Sequence, residues 1–445
     1  MFSLIDWHNS EQWKNWVGYE QATPEQKLTP NSVEELQEIV RNAAVNGKRV
    51  RVTGAGHSFS PVAKPEEIAI SLHHMRGLVS VDKQKMEVTI KAGTYLHEVG
   101  PALLDHGLAL INMGDVQNQS VAGAMSTATH GTGITLGSVA EPVVGWKWVD
   151  GHGDLHSHTR IDGNTNDDLS NALHLSLGML GIMVEYTIKV VPIYGLHESS
   201  EALKFDDALA KFMDVTHNVR HMEWFLFPGT NKVQQKVLKV CAPKPMSKIQ
   251  HFKDKLEGSV VLNGAFYLMS EFARKNHKHI KTVSKISADN IPNTVRQGYS
   301  YEVFPKPRGV FFNESEYFVD LDKYQACLSY FNEALMEDTR LSHFPIEVRT
   351  HKGEAGFLSP TQGKDKLVMS FHVYKGIPSD PLFDWLKNEM KAWQGRPHWG
   401  KVNKLTHDEL RELYPNMDKF LAVREQFDPN RVFMNQFLQH KFLGE

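Results

Sequence analysis

The sequence predicts an α+β protein of two domains, in which amphipathic helices are interspersed with mostly short strands. Three observations carry this expectation. At 445 residues the chain exceeds the size at which a single hydrophobic core stops growing. Short β-branched runs and helical periodicities alternate from end to end, with no internal repeat and no low-complexity tract. A longer strand-like run, Ile182 to Val191, is closed by Pro192, which places a boundary there and divides the chain into residues 1–194 and 195–445.

Each N-terminal element has a local reason. Ser32 caps a helix with Val33, Leu36, Ile39, Val40 and Ala43 on one face, and Glu35 completes a capping box. Val50–Val52 reads as a strand, as do Ile68–Leu72, Val79–Val81 and Met86–Lys91. A helix follows from about Leu96 to His106. Strands Val143–Val149 and His156–Thr159 flank Gly151-His-Gly-Asp154, a hairpin turn. His152, His156 and His158 crowd that hairpin, but their setting reads as an exposed turn rather than a metal centre.

The most informative stretch is Arg51-Val-Thr-Gly-Ala-Gly-His57-Ser-Phe-Ser60-Pro61. Gly54 and Gly56 let backbone N–H groups approach an anion without obstruction, forming a nest for phosphate oxygens. Phe59 stands where a dinucleotide fingerprint would have its third glycine, which argues against a Rossmann turn. The loop instead presents His57 beyond the phosphates. A second segment, Asn112 to Gly133, is rich in small residues and nearly uncharged for roughly twenty residues. Side chains this small suggest backbone lying against a large flat ligand.

Glu347 and Arg349 are two apart, so in a strand they share a face and form a charge-assisted pair suited to vicinal hydroxyls. A cross-strand surface ion pair is the common alternative for such a spacing. Lys401, in His398-Trp-Gly-Lys, places a flexible cation beside an aromatic plate. His372 lies in a strand-like run and reaches substrate if its face is the inner one.

Composition bounds the partners. The net charge of −3 and the scatter of basic residues argue against nucleic acid. The two cysteines, Cys241 and Cys327, lack metal spacing and suit a reducing, cytoplasmic setting. No window approaches the roughly 20 apolar residues of a membrane span, and residues 1–8 do not resemble a signal peptide. Peripheral membrane attachment stays open.

Together these segments resemble the FAD-binding domain of the vanillyl-alcohol-oxidase flavoprotein superfamily. The chain as a whole, about residues 15–440, resembles its sugar-1,4-lactone and alditol oxidase branch. His221-Met-Glu-Trp-Phe-Leu-Phe-Pro228, Ile346-Glu347-Val-Arg349, Leu358-Ser-Pro360, Pro397-His-Trp-Gly-Lys401 and Phe427-Asp-Pro-Asn430 with Phe433-Met-Asn435 are similar to that branch's ordered motifs. The resemblance implies a two-lobed PCMH-type FAD domain over residues 1–194. It implies a substrate, or cap, domain with an antiparallel sheet over residues 195–445, whose C-terminal segment packs back on the first. FAD contacts are implied for Thr53, Gly54, Ala55, Gly56, His57, Ser58, Phe59, Gly114, Asp115, Ser120, Gly123, Thr127, His130, Gly131 and Ile182, with a covalent bond at His57.

Catalytic roles are implied for Glu347, Arg349, Lys401 and His372, with no metal. The implied reaction is hydride transfer from a carbinol of a gulono-, galactono- or arabinonolactone to flavin N5, with reoxidation by oxygen to hydrogen peroxide. An alditol oxidase, acting on xylitol or sorbitol, and a dehydrogenase with another acceptor are the alternatives. Some alditol-oxidising members have serine where this chain has Asp115, which makes simple alditols the weaker substrates. Gly114 stands where a bulkier residue restricts oxygen in dehydrogenase members.

Overall fold

The computed structural model describes residues 12–161, 164, 166–256, 262–306 and 309–445. The reading of residues 1–8 lies outside them. The N-terminal part opens with a parallel three-stranded sheet, in which β1 (Gln26–Leu28) and β2 (Val50–Val52) flank β3 (Ile68–Ile70). Helix α1 (Val33–Val45) forms the crossover from β1 and buries Leu36, Val40 and Ala43. Each such fully buried side chain contributes roughly 1.5–3 kcal/mol for the larger aliphatics. Its start follows the sequence: Ser32 Oγ accepts the Glu35 N–H, while Glu35 reaches back to the Asn31 N–H.

A five-stranded antiparallel sheet follows. It is built from β4 (Leu78–Asp82), β5 (Glu87–Lys91), β6 (Val143–Val149), β7 (Leu155–Thr159) and β8 (Ile182–Lys189), in the order β7-β6-β8-β5-β4. Between β5 and β6 lie helices α2 (Leu96–Leu104) and α3 (Val121–Ser126). The latter is the helical part of the small-residue segment, capped by Ser120 accepting from the Gly123 N–H. Of the hairpin histidines His152 is exposed, whereas His156 and His158 are half-buried. His156 and His158 stack on Trp148 and Trp146 and bond Asp150 and Asp167 respectively.

The rest of the chain is organised by one antiparallel eight-stranded sheet. Its strands are β9 (Gly195–Lys204), β10 (His221–Leu226), β11 (Lys232–Cys241), β12 (Val295–Tyr299), β13 (Phe312–Asp320), β14 (Ile346–His351), β15 (Lys366–Tyr374) and β16 (Arg396–Pro397). They are ordered β12-β9-β11-β10-β14-β15-β13-β16. Strands β13, β14 and β15 are buried almost throughout, yet only one face is apolar. Val348, Met369, Phe371, Tyr317 and Val319 point to helices α4 (Tyr324–Glu337) and α5 (Asp380–Ala392), where Phe331 meets Phe371 at 5.5 Å. The opposite face carries Glu314, Glu316, Glu347, Arg349, Ser370 and His372, because side chains alternate along a strand. A buried face this polar must be satisfied by partners or by a ligand.

The C-terminal segment returns to the N-terminal sheets. The Val50 N–H donates to Val432 O, the Arg51 guanidinium to Phe433 O, and the Asn435 amide to Pro61 O and Lys64 O. Helix α6 (Gln436–Leu443) closes the chain. No helix among the described residues is long and apolar enough to cross a membrane.

Candidate active site

Two cavities meet at the glycine loop. The first is lined by Thr53, Gly54, Ala55, Gly56, His57 and Ser58, with Ser120, Gly123, Thr127, Ile182 and Phe433. The loop leaves β2, and Gly56 takes a φ of +69°, a conformation that costs glycine little. A Cβ at Gly54 would lie 2.6 Å from Ser120 Oγ, so only glycine permits the close approach of loop and helix α3. Among the described residues no acceptor faces the backbone N–H groups of residues 54–58. Five successive free donors around a concave space fit an anionic diphosphate, which is the test an FAD site must pass here.

His57, Ser58, Gln119 and Thr127 also line the second cavity, of about 860 Å³, so the two spaces run together. Its walls include Phe59, Gly114, Asp115, His130, Glu314, Glu316, Glu347, Arg349, His398 and Lys401. Burial first, and then Lys401, lowers the His57 pKa to about 4, so its ring is neutral where the cavities join.

The floor is a charge network on the polar face of the eight-stranded sheet. Arg349 donates to Glu347 Oε2 at 2.8 Å, to Glu223 Oε1 at 2.6 Å and to Asp115 Oδ2 at 2.6 Å. Lys236 on β11 pairs Glu223 from the other side. Burial alone would raise Glu223, but Arg349 and Lys236 outweigh it and hold the carboxyl far below its usual range. Burial likewise disfavours the Arg349 cation, and the surrounding carboxylates reverse that effect. One guanidinium is thus shared by three carboxylates on the wall of the large cavity.

A second group lies beside it. The Lys401 ammonium is 2.5 Å from Glu314 Oε2 and 5.0 Å from the centre of the Phe59 ring. Glu316 joins His130 Nε2 at 2.8 Å, and Ser370 donates to its other oxygen. Ser370 pairs Glu316 on one side and Glu347 on the other, so these three form a single row across the sheet. Metal-ligating atoms of His130, Glu316 and His398 lie within 4.8 Å of one another. Hydrogen bonds already use them: His398 Nδ1 accepts the Gly400 N–H, which leaves Nε2 protonated. Burial lowers the His398 pKa to about 3, keeping that ring neutral.

Two expected site residues stand elsewhere. His372 lies on the polar face, but its ring is wedged against Phe312 and Phe344, behind Glu314, and does not reach the cavity. Gly131 lines neither cavity; a Cβ there would meet Met113 O at 2.3 Å, so its size serves loop packing. Sequence reasoning missed Glu223, Lys236, Glu314 and Glu316. The spacing Glu314-Ser-Glu316 in a strand-like run was an available signal for the last two.

Comparison with known proteins fits this geometry. An FAD binding domain family model matches residues 24–159, and a D-arabinono-1,4-lactone oxidase model matches residues 186–441. The L-gulono-1,4-lactone dehydrogenase of Mycobacterium tuberculosis is 31% identical over 427 residues, covering 96% of this chain and 97% of its own. The L-gulonolactone oxidase of Mus musculus is 28% identical, covering 99% and 100%. A crystal structure of cholesterol oxidase from B. sterolicum shares the fold at a TM-score of 0.78, with 18% identity and coverage of 97% and 96%. The match of the D-arabinono-1,4-lactone oxidase model over more than half of the chain, behind the FAD binding domain match, places this chain in the D-arabinono-1,4-lactone oxidase family.

Proposed function

We propose that the protein is an FAD-dependent oxidoreductase that oxidises a carbinol of a sugar-1,4-lactone of the gulono-, galactono- or arabinono- type and passes the electrons to oxygen. The observation that carries this reading is that the Glu347–Arg349 pair and the His57 loop open onto one continuous cavity. Residues 53–58 would hold the FAD diphosphate, with Ser120, Gly123, Thr127 and Ile182 lining the same cavity. When bound, FAD supplies the hydride acceptor for the carbinol carbon.

The chain's own residues handle the proton and the orientation. Glu347, hydrogen-bonded by Arg349, would take the proton of the substrate hydroxyl. The remaining Arg349 donors and Asp115 fix neighbouring ring hydroxyls. With FAD bound, Lys401 would supply a positive charge that favours the negative charge of the reduced flavin. His57 would be the point of attachment for the flavin, its neutral ring offering a nitrogen lone pair. Gly114 leaves an open path for oxygen. Two unpaired cysteines support a cytoplasmic location.

The test is anaerobic mixing of the purified, yellow protein with L-gulono-, L-galactono- and D-arabinono-1,4-lactone, then with xylitol and sorbitol. Bleaching by a lactone, followed by peroxide on admitting air, is the expected result. Bleaching by neither class would sink the reading. The second reading is a dehydrogenase, favoured by the name of the mycobacterial relative; it predicts bleaching by lactone without peroxide.

A further inference from the structure

Lys401 is held by one residue in two ways. Glu314 accepts the Val402 N–H at 2.9 Å through its backbone carbonyl, which ties the segment carrying Lys401 to β13. Its carboxylate accepts from the Lys401 ammonium at 2.5 Å. Strand pairing sets His372 directly opposite, and His372 Nε2 lies 3.5 Å from the second carboxylate oxygen. Behind that ring stand Phe312 and Phe344, at 4.9 and 6.0 Å between centroids. The Glu314 carboxylate is therefore deeply buried with an apolar backing, and Lys401 is its close formal countercharge. In so water-poor a site a carboxylate at this distance cancels much of the field of its partner.

We propose that Glu314 is a positioning residue for Lys401: it fixes the ammonium over Phe59 and offsets its charge, setting the reduction potential of the bound flavin lower than Lys401 alone would set it. The inference rests on the functional reading above, in which Lys401 meets the flavin. In this role Glu314 acts through Lys401.

The experiment is measurement of the flavin reduction potential by equilibration with reference dyes in the holoenzyme. The proteins compared are wild type, Glu314→Gln, Lys401→Met and the double variant. Glu314→Gln is expected to favour the reduced flavin at least tenfold, a positive shift of about 30 mV for a two-electron couple. Lys401→Met is expected to move the potential the opposite way, and the double variant to match Lys401→Met, because the buried Glu314 carboxyl takes up a proton once its countercharge is gone. An unchanged potential in Glu314→Gln overturns the inference. So does a double variant displaced from Lys401→Met as far as Glu314→Gln is from wild type, because Glu314 then acts directly. Should Glu314→Gln fail to retain flavin, Glu314→Ser is expected to show its shift and Glu314→Asp to stay at the wild-type value. A wild-type protein that binds no flavin would overturn the functional reading instead, whereas an insensitive Glu314→Gln flavoprotein overturns this inference alone.

Discussion

Arg349 Nη2 lies 2.6 Å from Asp115 Oδ2, although 234 residues separate them in the chain. Asp115 belongs to the loop that precedes helix α3, and Arg349 to the middle of β14. This contact joins the N-terminal half to the large sheet at the floor of the cavity. It also makes the guanidinium the common partner of acids from three separate segments: Asp115, Glu223 and Glu347.

Removing the guanidinium is therefore expected to be costly. Arg349→Met removes the guanidinium shared by Asp115, Glu223 and Glu347 and should destabilise the protein by about 3–5 kcal/mol. Denaturant unfolding followed by tryptophan fluorescence measures this. A loss below about 1 kcal/mol would mean that the acids take up protons or water freely.

Glu347→Gln keeps the shape of the site and the contact to Arg349 but removes the base. The expected fall in kcat is about 10²–10⁴-fold, with a smaller change in KM and an unaltered flavin spectrum. Turnover that survives this change would move the base to another residue.

Gly114 offers a separate test. A Cβ there would lie 2.9 Å from Thr129 Cγ2, so Gly114→Ala pushes Thr129 aside and reshapes the wall of the large cavity that both residues line. Reoxidation of the reduced enzyme by oxygen should slow about tenfold or more, while reduction by lactone is little changed. Stopped-flow traces of the two half-reactions separate the effects; equal slowing of both would point to a distorted site instead.

Stability should fall on acidification. Burial lowers the pKa of His343 to about 4 and of His221 and His398 to about 3. Unfolded histidine titrates near 6.5, so between about pH 6.5 and 4 the unfolded chain binds more protons. The stabilisation is present above that window and is lost as pH falls through it. His343 packs among Phe266, Phe344 and Tyr374, and its Nε2 meets Ser270. His343→Phe should lower Tm at pH 7.5 but shrink the difference between pH 7.5 and 4.5. An undiminished difference would remove His343 from the account.

Pairs set by a strict period are legible in the sequence. Glu347 and Arg349 meet because strand side chains repeat every two residues. The same rule applies to Glu314 and Glu316, but two glutamates in a short run resemble the solvent face of an edge strand. Only the pairing of β13 with β15 on one side and β16 on the other makes that strand interior. Glu223 and Lys236 were beyond reach, because their contact depends on the register of the β10–β11 hairpin. His372 has the expected face but the wrong depth, since ring packing behind Glu314 is decided by side chains from Phe312 and Phe344. The glycine loop was legible because its chemistry is local: backbone donors and missing Cβ atoms need no distant partner.

The return of the C-terminal segment has a consequence in time. Phe433 forms part of the wall of the first cavity, and its carbonyl, with that of Val432, anchors β2 just ahead of the glycine loop. A nascent chain emerging from the ribosome makes the loop early but cannot finish the pocket until residues past Asn435 have cleared the exit tunnel. Completion of the pocket thereby waits on synthesis of residues 432–435, and a chain cut short before them is left without that part of the wall.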